Sequence, residues 1–206
     1  MGADQDFFFT VESNYRAPEL KVRGSRFISE IIPLISKSDV DDQLSKSRKE
    51  FYDATHHCYA YRLGIQGDQI RAADDGEPAG TAGRPILNSL ANKDLTNCLL
   101  VVTRYYGGTN LGTGGLCRAY AEASQMAVMG AKIQTIFLTE TFILSLQYES
   151  IPTLYKLLTT FATHIYDAEY TDCIILKVNI RKSLAGRFRT ELQEIFYHGE
   201  VVIIGI

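Results

Sequence analysis

The run from Asn97 to Tyr120, NCLLVVTRYYGGTNLGTGGLCRAY, constrains the fold more than any other part of the chain. Its first part, Cys98–Val102, is continuously apolar and too short for a helix, so it reads as a strand buried on both faces. Five glycines then fall within nine residues, Gly107, Gly108, Gly112, Gly114 and Gly115. Glycine is costly to order, so such a cluster implies left-handed backbone or a close approach of another chain segment. Leu116–Ala131 follows with the Ala-rich composition of a helix, its stripe of Leu116, Ala119, Tyr120, Ala123 and Ala127 suited to packing on a sheet. The predicted order is strand, glycine loop, helix.

A loop that opens on a helix N-terminus offers free amides and the positive end of a dipole to an anion. Neither nucleotide fingerprint is met. Gly107 and Gly112 have the phosphate-loop spacing, but Thr113 stands where lysine is required, and Cys117 stands where the dinucleotide motif needs its third glycine. What remains is a looser anion site built from the amides near Gly114–Leu116 with Arg104 and Arg118, or a loop whose glycines serve only a close crossing over the sheet.

A second motif, Asp74-Asp75-Gly76-Glu77-Pro78, sets three carboxylates within four residues. Such a group could hold a hard cation, receive basic groups from a partner, or pair internally with Arg84 and Arg104. Thr81 is a reasonable cap for a helix starting near Arg84. Upstream, HHCYAYRLGI reads as a strand whose alternation sets His56, Cys58 and Ala60 on one face and His57, Tyr59 and Tyr61 on the other. Adjacent histidines on a strand cannot share a site. A Cys117–histidine nucleophile is conceivable at a helix N-terminus, but no serine elbow or triad pattern accompanies it.

Residues 7–32 suggest two strands broken at Gly24-Ser25, and a helix opens at Ser38-Asp39. Beyond a crossover at KIQTIFLTE, residues 138–206 read as strand (Leu138–Tyr148), helix (Ile151–Ala162), strand (His164–Tyr170), strand (Cys173–Ile180), helix (Leu184–Tyr197) and strand (Val201–Ile204). That βαββαβ order is the ferredoxin-like arrangement. Its third strand, CIILKVNI, lacks the aromatics on which RNA-recognition folds stack bases.

The formal net charge of -3 argues against general nucleic-acid affinity, leaving a local basic patch as the route to phosphate. No apolar run reaches the roughly 18 residues of a membrane span, and MGADQDFFFTVES lacks the pattern of a secretory signal. The expected setting is the cytoplasm, with no membrane partner. Four widely spaced cysteines without a close pair read as reduced, mostly buried thiols.

Three long motifs in order, THHCYA from Thr55, DDGEPAGTAGRPIL from Asp74 and VVTRYYGGTNLGTGGLCRAY from Val101, closely resemble the YigZ/IMPACT family, and GSRFI (Gly24–Ile28) resembles its opening strand. The resemblance implies an α+β fold of two domains. Residues 1–135 would be an IMPACT-type domain of the ribosomal-protein-S5 domain 2-like kind, with helices against one sheet. Residues 136–206 would be a ferredoxin-like domain similar to those of elongation factor G. Eukaryotic members are linked to translational control. Asn110, where many members have lysine, removes one positive charge from the anion site; Cys117 and Ala73 also depart from the usual aliphatic residue and serine.

The functional expectation is a regulatory or binding protein of the translation apparatus in preference to an enzyme, its partner a ribosome, an RNA or a translation factor. Its ligand-binding residues would be His56, Asp74, Asp75, Glu77, Arg104, Tyr105, Gly107, Gly108, Gly112, Gly114, Gly115 and Arg118, with Tyr105 or Tyr106 as a flat surface. The alternative is a metal-assisted enzyme acting on a phosphorylated or peptide substrate through Asp74, Asp75 and Glu77, with His56 assisting. No cofactor is expected, and no catalytic residue or metal ligand is assigned.

Overall fold

A computed structural model describes residues 6–163, 165–197 and 201–205; the first five residues and His164, expected to begin a strand, lie outside them. In chain order the elements are β1 (Phe7–Val11), β2 (Tyr15–Arg16), β3 (Leu20–Val22), β4 (Ser25–Pro33), α1 (Lys37–Glu50), β5 (His56–Leu63), β6 (Gln69–Ala73), α2 (Gly83–Ala91), β7 (Cys98–Tyr105), α3 (Gly112–Gly130) and β8 (Ile133–Phe137). Then come β9 (Thr139–Leu146), a 3-10 turn (Tyr148–Ser150), α4 (Ile151–Thr160), β10 (Ile165–Tyr170), β11 (Ile174–Arg181), α5 (Lys182–Ile195) and β12 (Val201–Gly205). The chain mixes α and β in two compact units. Phe8–Ile136 form one, and Phe137 onward, joined by Asp6 and Phe7, form the other.

The apolar run becomes β7, buried from Cys98 to Arg104 at the centre of a sheet ordered β2-β4-β7-β5-β6, with β3 paired to β4. Both its neighbours run antiparallel to it. Strand alternation divides the unit's apolar residues between two cores. Phe27, Ile31, Cys58, Ala60, Leu100 and Val102 pack against Ile86 and Leu90 of α2 and the predicted small-residue stripe of α3. Tyr59, Tyr61, Leu99 and Val101 pack on the opposite face against Val40 and Leu44 of α1. The β5 residues lie on the faces their alternation predicts.

Three local readings need correction. Residues 7–32 carry four strands where two were expected, because Ser13-Asn14 and Ala17-Pro18 interrupt the pattern, and proline has no amide for a ladder. The first helix starts at Lys37, and the Asp39 carboxylate reaches back to accept the amides of Ile35 and Ser36, both at 2.8 Å. Helix α3 begins at Gly112, inside the glycine cluster, so Gly112, Gly114 and Gly115 belong to its first turn.

Two glycines explain much of the loop. β3 and β4 join through Arg23-Gly24, and this turn presses on Gly107: a Cβ on Gly107 would lie 1.9 Å from the Gly24 carbonyl carbon. No side chain fits between them. Gly108, by contrast, has φ +81° and open space around it.

In the second unit β9–β12 form a sheet ordered β10-β11-β9-β12, covered on one face by α4 and α5. Phe188 of α5 meets Phe142 and Phe161 edge-on, with ring centroids 5.0 and 5.2 Å apart. Asp6 is part of this unit. Its carboxylate accepts hydrogen bonds from the Arg181 guanidinium and from the amide and hydroxyl of Ser183, at the start of α5. The Arg181 hydrogen bonds, then those of Ser183, hold its carboxyl well below the usual carboxylate range.

Replacing Gly107 by alanine is expected to cost about 1–3 kcal/mol or more, as overpacked sites do. Gly108→Ala, which meets only the left-handed backbone penalty, should cost about 1 kcal/mol; urea titrations of both give the comparison. Because the Asp6 pKa is depressed in the folded state, its stabilisation is present above the unfolded value near 4 and is lost as pH falls through the folded value. Asp6→Asn should therefore flatten the acid limb of the second unit's stability profile, followed through its tyrosine fluorescence.

Candidate functional site

The row Phe27, Arg104, His56 lies in register across β4, β7 and β5. It continues the apolar lane of Val102 and Cys58 and ends it with charge. Arg104 is only 4% exposed. Its Nη1 donates to Glu77 Oε1 at 2.5 Å and its Nη2 to Ser25 Oγ at 3.2 Å, above the ring of Phe27. The same Glu77 oxygen accepts the Tyr120 hydroxyl at 2.7 Å from α3. One carboxylate thus ties the DDGEP turn to the central strand and to the helix. Burial is the first cause of a strongly raised Tyr120 pKa, reinforced by its Cys58 and Glu77 neighbours, so this hydroxyl stays a donor. Burial likewise pushes the Cys58 thiol up to about 12.

The other two acids of the motif serve different partners. Asp74 accepts the amides of Gly80, Ala82 and Gly83 at 2.8–2.9 Å and caps α2. Burial tends to raise its pKa, but the three amides prevail and lower it. Thr81, the expected cap, instead donates to the Pro78 carbonyl. Asp75 sits in left-handed backbone at φ 45°, accepts the His57 amide at 2.7 Å and faces Arg48 at 3.2 Å. Among the described residues no group of three or more His, Cys, Asp or Glu side chains is placed to hold a metal ion. The DDGEP acids are spread over separate tasks.

His56 donates from Nδ1 to the Asp75 carbonyl at 2.8 Å, which turns Nε2 toward Glu77 Oε1, 3.9 Å away. Two acceptors face each other there when the ring is neutral. A donor seated between them would bridge both. His57 lies on the opposite face, where burial lowers its pKa.

The two motifs meet in a cleft of about 520 Å³. His56, Glu77 and Arg104 line one side; Asn110, Gly112 and Thr113 line the other, with Tyr106 also lining it. The N-terminus of α3 opens into it with no side-chain cap and no acid in its first turn. Tyr106 is 46% exposed and its hydroxyl donates to Asn110 at 3.3 Å.

Several expected residues lie elsewhere. Tyr105 is on the other side of its strand, its ring under the Arg26 guanidinium at 4.3 Å and its hydroxyl donating to Asp53. Tyr106, the other tyrosine considered as a flat surface, lines the cleft. Arg118 is not among the cleft residues, nor are Asp74, Asp75, Gly107, Gly108, Gly114, Gly115 or Cys117. The expected clamp of Arg104 with Arg118 is therefore not formed: Arg104 is held from beneath by Glu77, and Arg118 lines another pocket. Sequence parity from Val102 to Arg104 signals the buried arginine. Internal pairing of the DDGEP acids with Arg104 is among the sequence expectations; which of the three acids meets it is seen only in the structure.

These features define a two-unit α and β protein whose larger unit presents a cleft between an acidic turn and a glycine-rich helix start. The family model of the Impact N-terminal domain matches residues 23–128. The YigZ relative of Escherichia coli is 31% identical over 188 residues, 90% of this chain and 92% of that one. The relative YvyE of Bacillus subtilis is 41% identical over 105 residues, and the match spans 51% of this chain and 48% of that relative. A crystal structure titled as that of a hypothetical protein aligns with TM-score 0.66 and 27% identity over 98% of both chains. The chain belongs to the YigZ/IMPACT family.

Removing one partner of a buried ion pair strands the other charge. Glu77→Ala is expected to destabilise the larger unit by about 3–5 kcal/mol. The double variant Glu77→Leu with Arg104→Met should recover much of that loss in the same urea titration.

Proposed function

We propose that this chain is a non-enzymatic binding protein associated with translation, and that it takes an anionic segment of an RNA or ribosomal partner in the cleft between the DDGEP turn and the glycine loop. One observation carries the reading. The uncapped start of α3 faces the same space as an exposed tyrosine, which joins a phosphate-attracting end to a surface on which a base can stack. His56, Glu77, Arg104 and Gly112 form the walls; Asp74, Asp75, Gly107 and Gly108 hold the two loops in shape. The family resemblance supports the translational setting and a cytoplasmic location. Among the described residues no helix is long and apolar enough to cross a membrane.

The same reading assigns the larger unit, expected over residues 1–135, to an S5 domain 2-like fold, and the unit expected over 136–206, which Asp6 and Phe7 join, to a ferredoxin-like one. Support for the latter is the βαββαβ order, with the unit's first and third strands adjacent at the centre of the sheet.

Co-sedimentation with ribosomes and mobility shifts of a short oligoribonucleotide across a salt series test the proposal. Binding at low salt should show a shallow slope, about 0.7 per phosphate for roughly one or two contacts. Thr113→Asp places a carboxylate at the helix start. It should leave the fold as stable or more so, by about 0.3–1 kcal/mol, while abolishing binding. Tyr106→Ala should weaken it. Absence of binding to both RNA and ribosomes at low salt, or wild-type binding by Thr113→Asp, overturns the reading.

A further inference from the structure

On the far side of Leu111 from the cleft lies a second pocket of about 270 Å³, between the β3–β4 turn and the first turns of α3. Arg23, Arg118 and Glu122 line it, with Val22, Leu111 and Ala119 as an apolar wall. Both arginines are exposed, and among the described residues neither side chain has a hydrogen bond or ion pair.

Arg118 and Glu122 stand four apart on α3, a spacing that brings opposite charges together on a helix. In α5 the same spacing closes an ion pair, Arg187 Nε to Glu191 Oε1 at 2.6 Å. In α3 it stays open. The Arg118 guanidinium instead runs back to within 3.6 Å of the position a Cβ would take on Gly114, against the positive end of its own helix. That position is electrostatically unfavourable for a cation.

Arg23 is equally unusual. Val22 and Ser25 close a two-residue turn in which Arg23 and Gly24 have φ 46° and 82°. Such a turn favours Asn-Gly, and a long side chain in left-handed backbone is a local cost that clusters at functional positions. The turn is held against Gly107, so Arg23 is presented from a fixed base.

We propose that this pocket binds a small phosphorylated sugar. Arg23 and Arg118 take the phosphate oxygens, for which guanidinium is the fitting donor. Glu122 would repel a bare polyanion but accepts hydrogen bonds from the hydroxyls of a sugar. The apolar wall meets the carbon skeleton. The site is separate from the cleft and does not rest on the reading given for it.

Calorimetric titration of the full chain with inorganic phosphate, ribose 5-phosphate and ribose tests this. Ribose 5-phosphate should bind more tightly than inorganic phosphate, and ribose not at all. Arg23→Ala and Arg118→Ala should each weaken ribose 5-phosphate about tenfold or more without lowering the melting temperature, since neither side chain has an internal partner. Glu122→Gln should weaken ribose 5-phosphate and spare inorganic phosphate. Should an alanine variant unfold, Arg23→Lys and Arg118→Lys, which lose the forked donor, take its place with the same expected direction. The proposal fails if neither phosphate compound saturates the protein below about 10 mM, or if the arginine variants bind as the parent does. It fails equally if binding survives those variants and is lost in Tyr106→Ala, which would put the phosphate in the cleft.

Discussion

The buried pair of Arg104 and Glu77 is the interaction on which the larger unit's functional face depends. An arginine at the end of an apolar lane is unstable unless a carboxylate meets it, and Glu77 comes from a loop with no regular structure of its own. Once that contact forms, the loop has a fixed point above the sheet. Tyr120 then binds the same oxygen, which ties the loop to α3 as well. The cleft is therefore a by-product of neutralising one buried charge.

This changes the meaning of the charged motifs. Read along the chain, three neighbouring acids and two arginines look like opposing halves of a ligand site. In three dimensions Asp74 finishes a helix, Asp75 organises the histidine pair and Glu77 neutralises Arg104. Much of the motif's charge is spent within the fold, leaving backbone amides, one aromatic ring and one imidazole facing the cleft. The glycines divide similarly: Gly107 permits contact with Gly24, whereas Gly112 starts the helix whose amides stay free.

Legibility in the sequence followed the range of the interaction. Periodicity is local, so β7, the packing stripe of α3, the two faces of β5 and the order of the six elements after residue 138 could all be read directly. That Arg104 and His56 share a row depends on the pairing register of β5 with β7, which alternation within either strand does not give. The Asp74 cap spans a loop of six to nine residues, and the Arg104–Glu77 pair spans 27, so neither leaves a periodic trace. Choosing between Tyr105 and Tyr106 required knowing where the strand ends. The separation of Arg118 from Arg104 required knowing that the helix starts before Leu116, which alanine content alone does not reveal.

Asp6 carries a consequence for how the protein is made. Its main partner, Arg181, lies 175 residues further along the chain. At about 5–20 residues per second on the ribosome, the wait between them is roughly 10–35 seconds. The larger unit can complete its sheet within that interval, whereas the Asp6 carboxylate has to wait until Arg181 and Ser183 have been made. A carboxylate made ahead of the larger unit thus waits for partners made after it, and the cap of α5 closes only once the segments on both flanks of the larger unit are present.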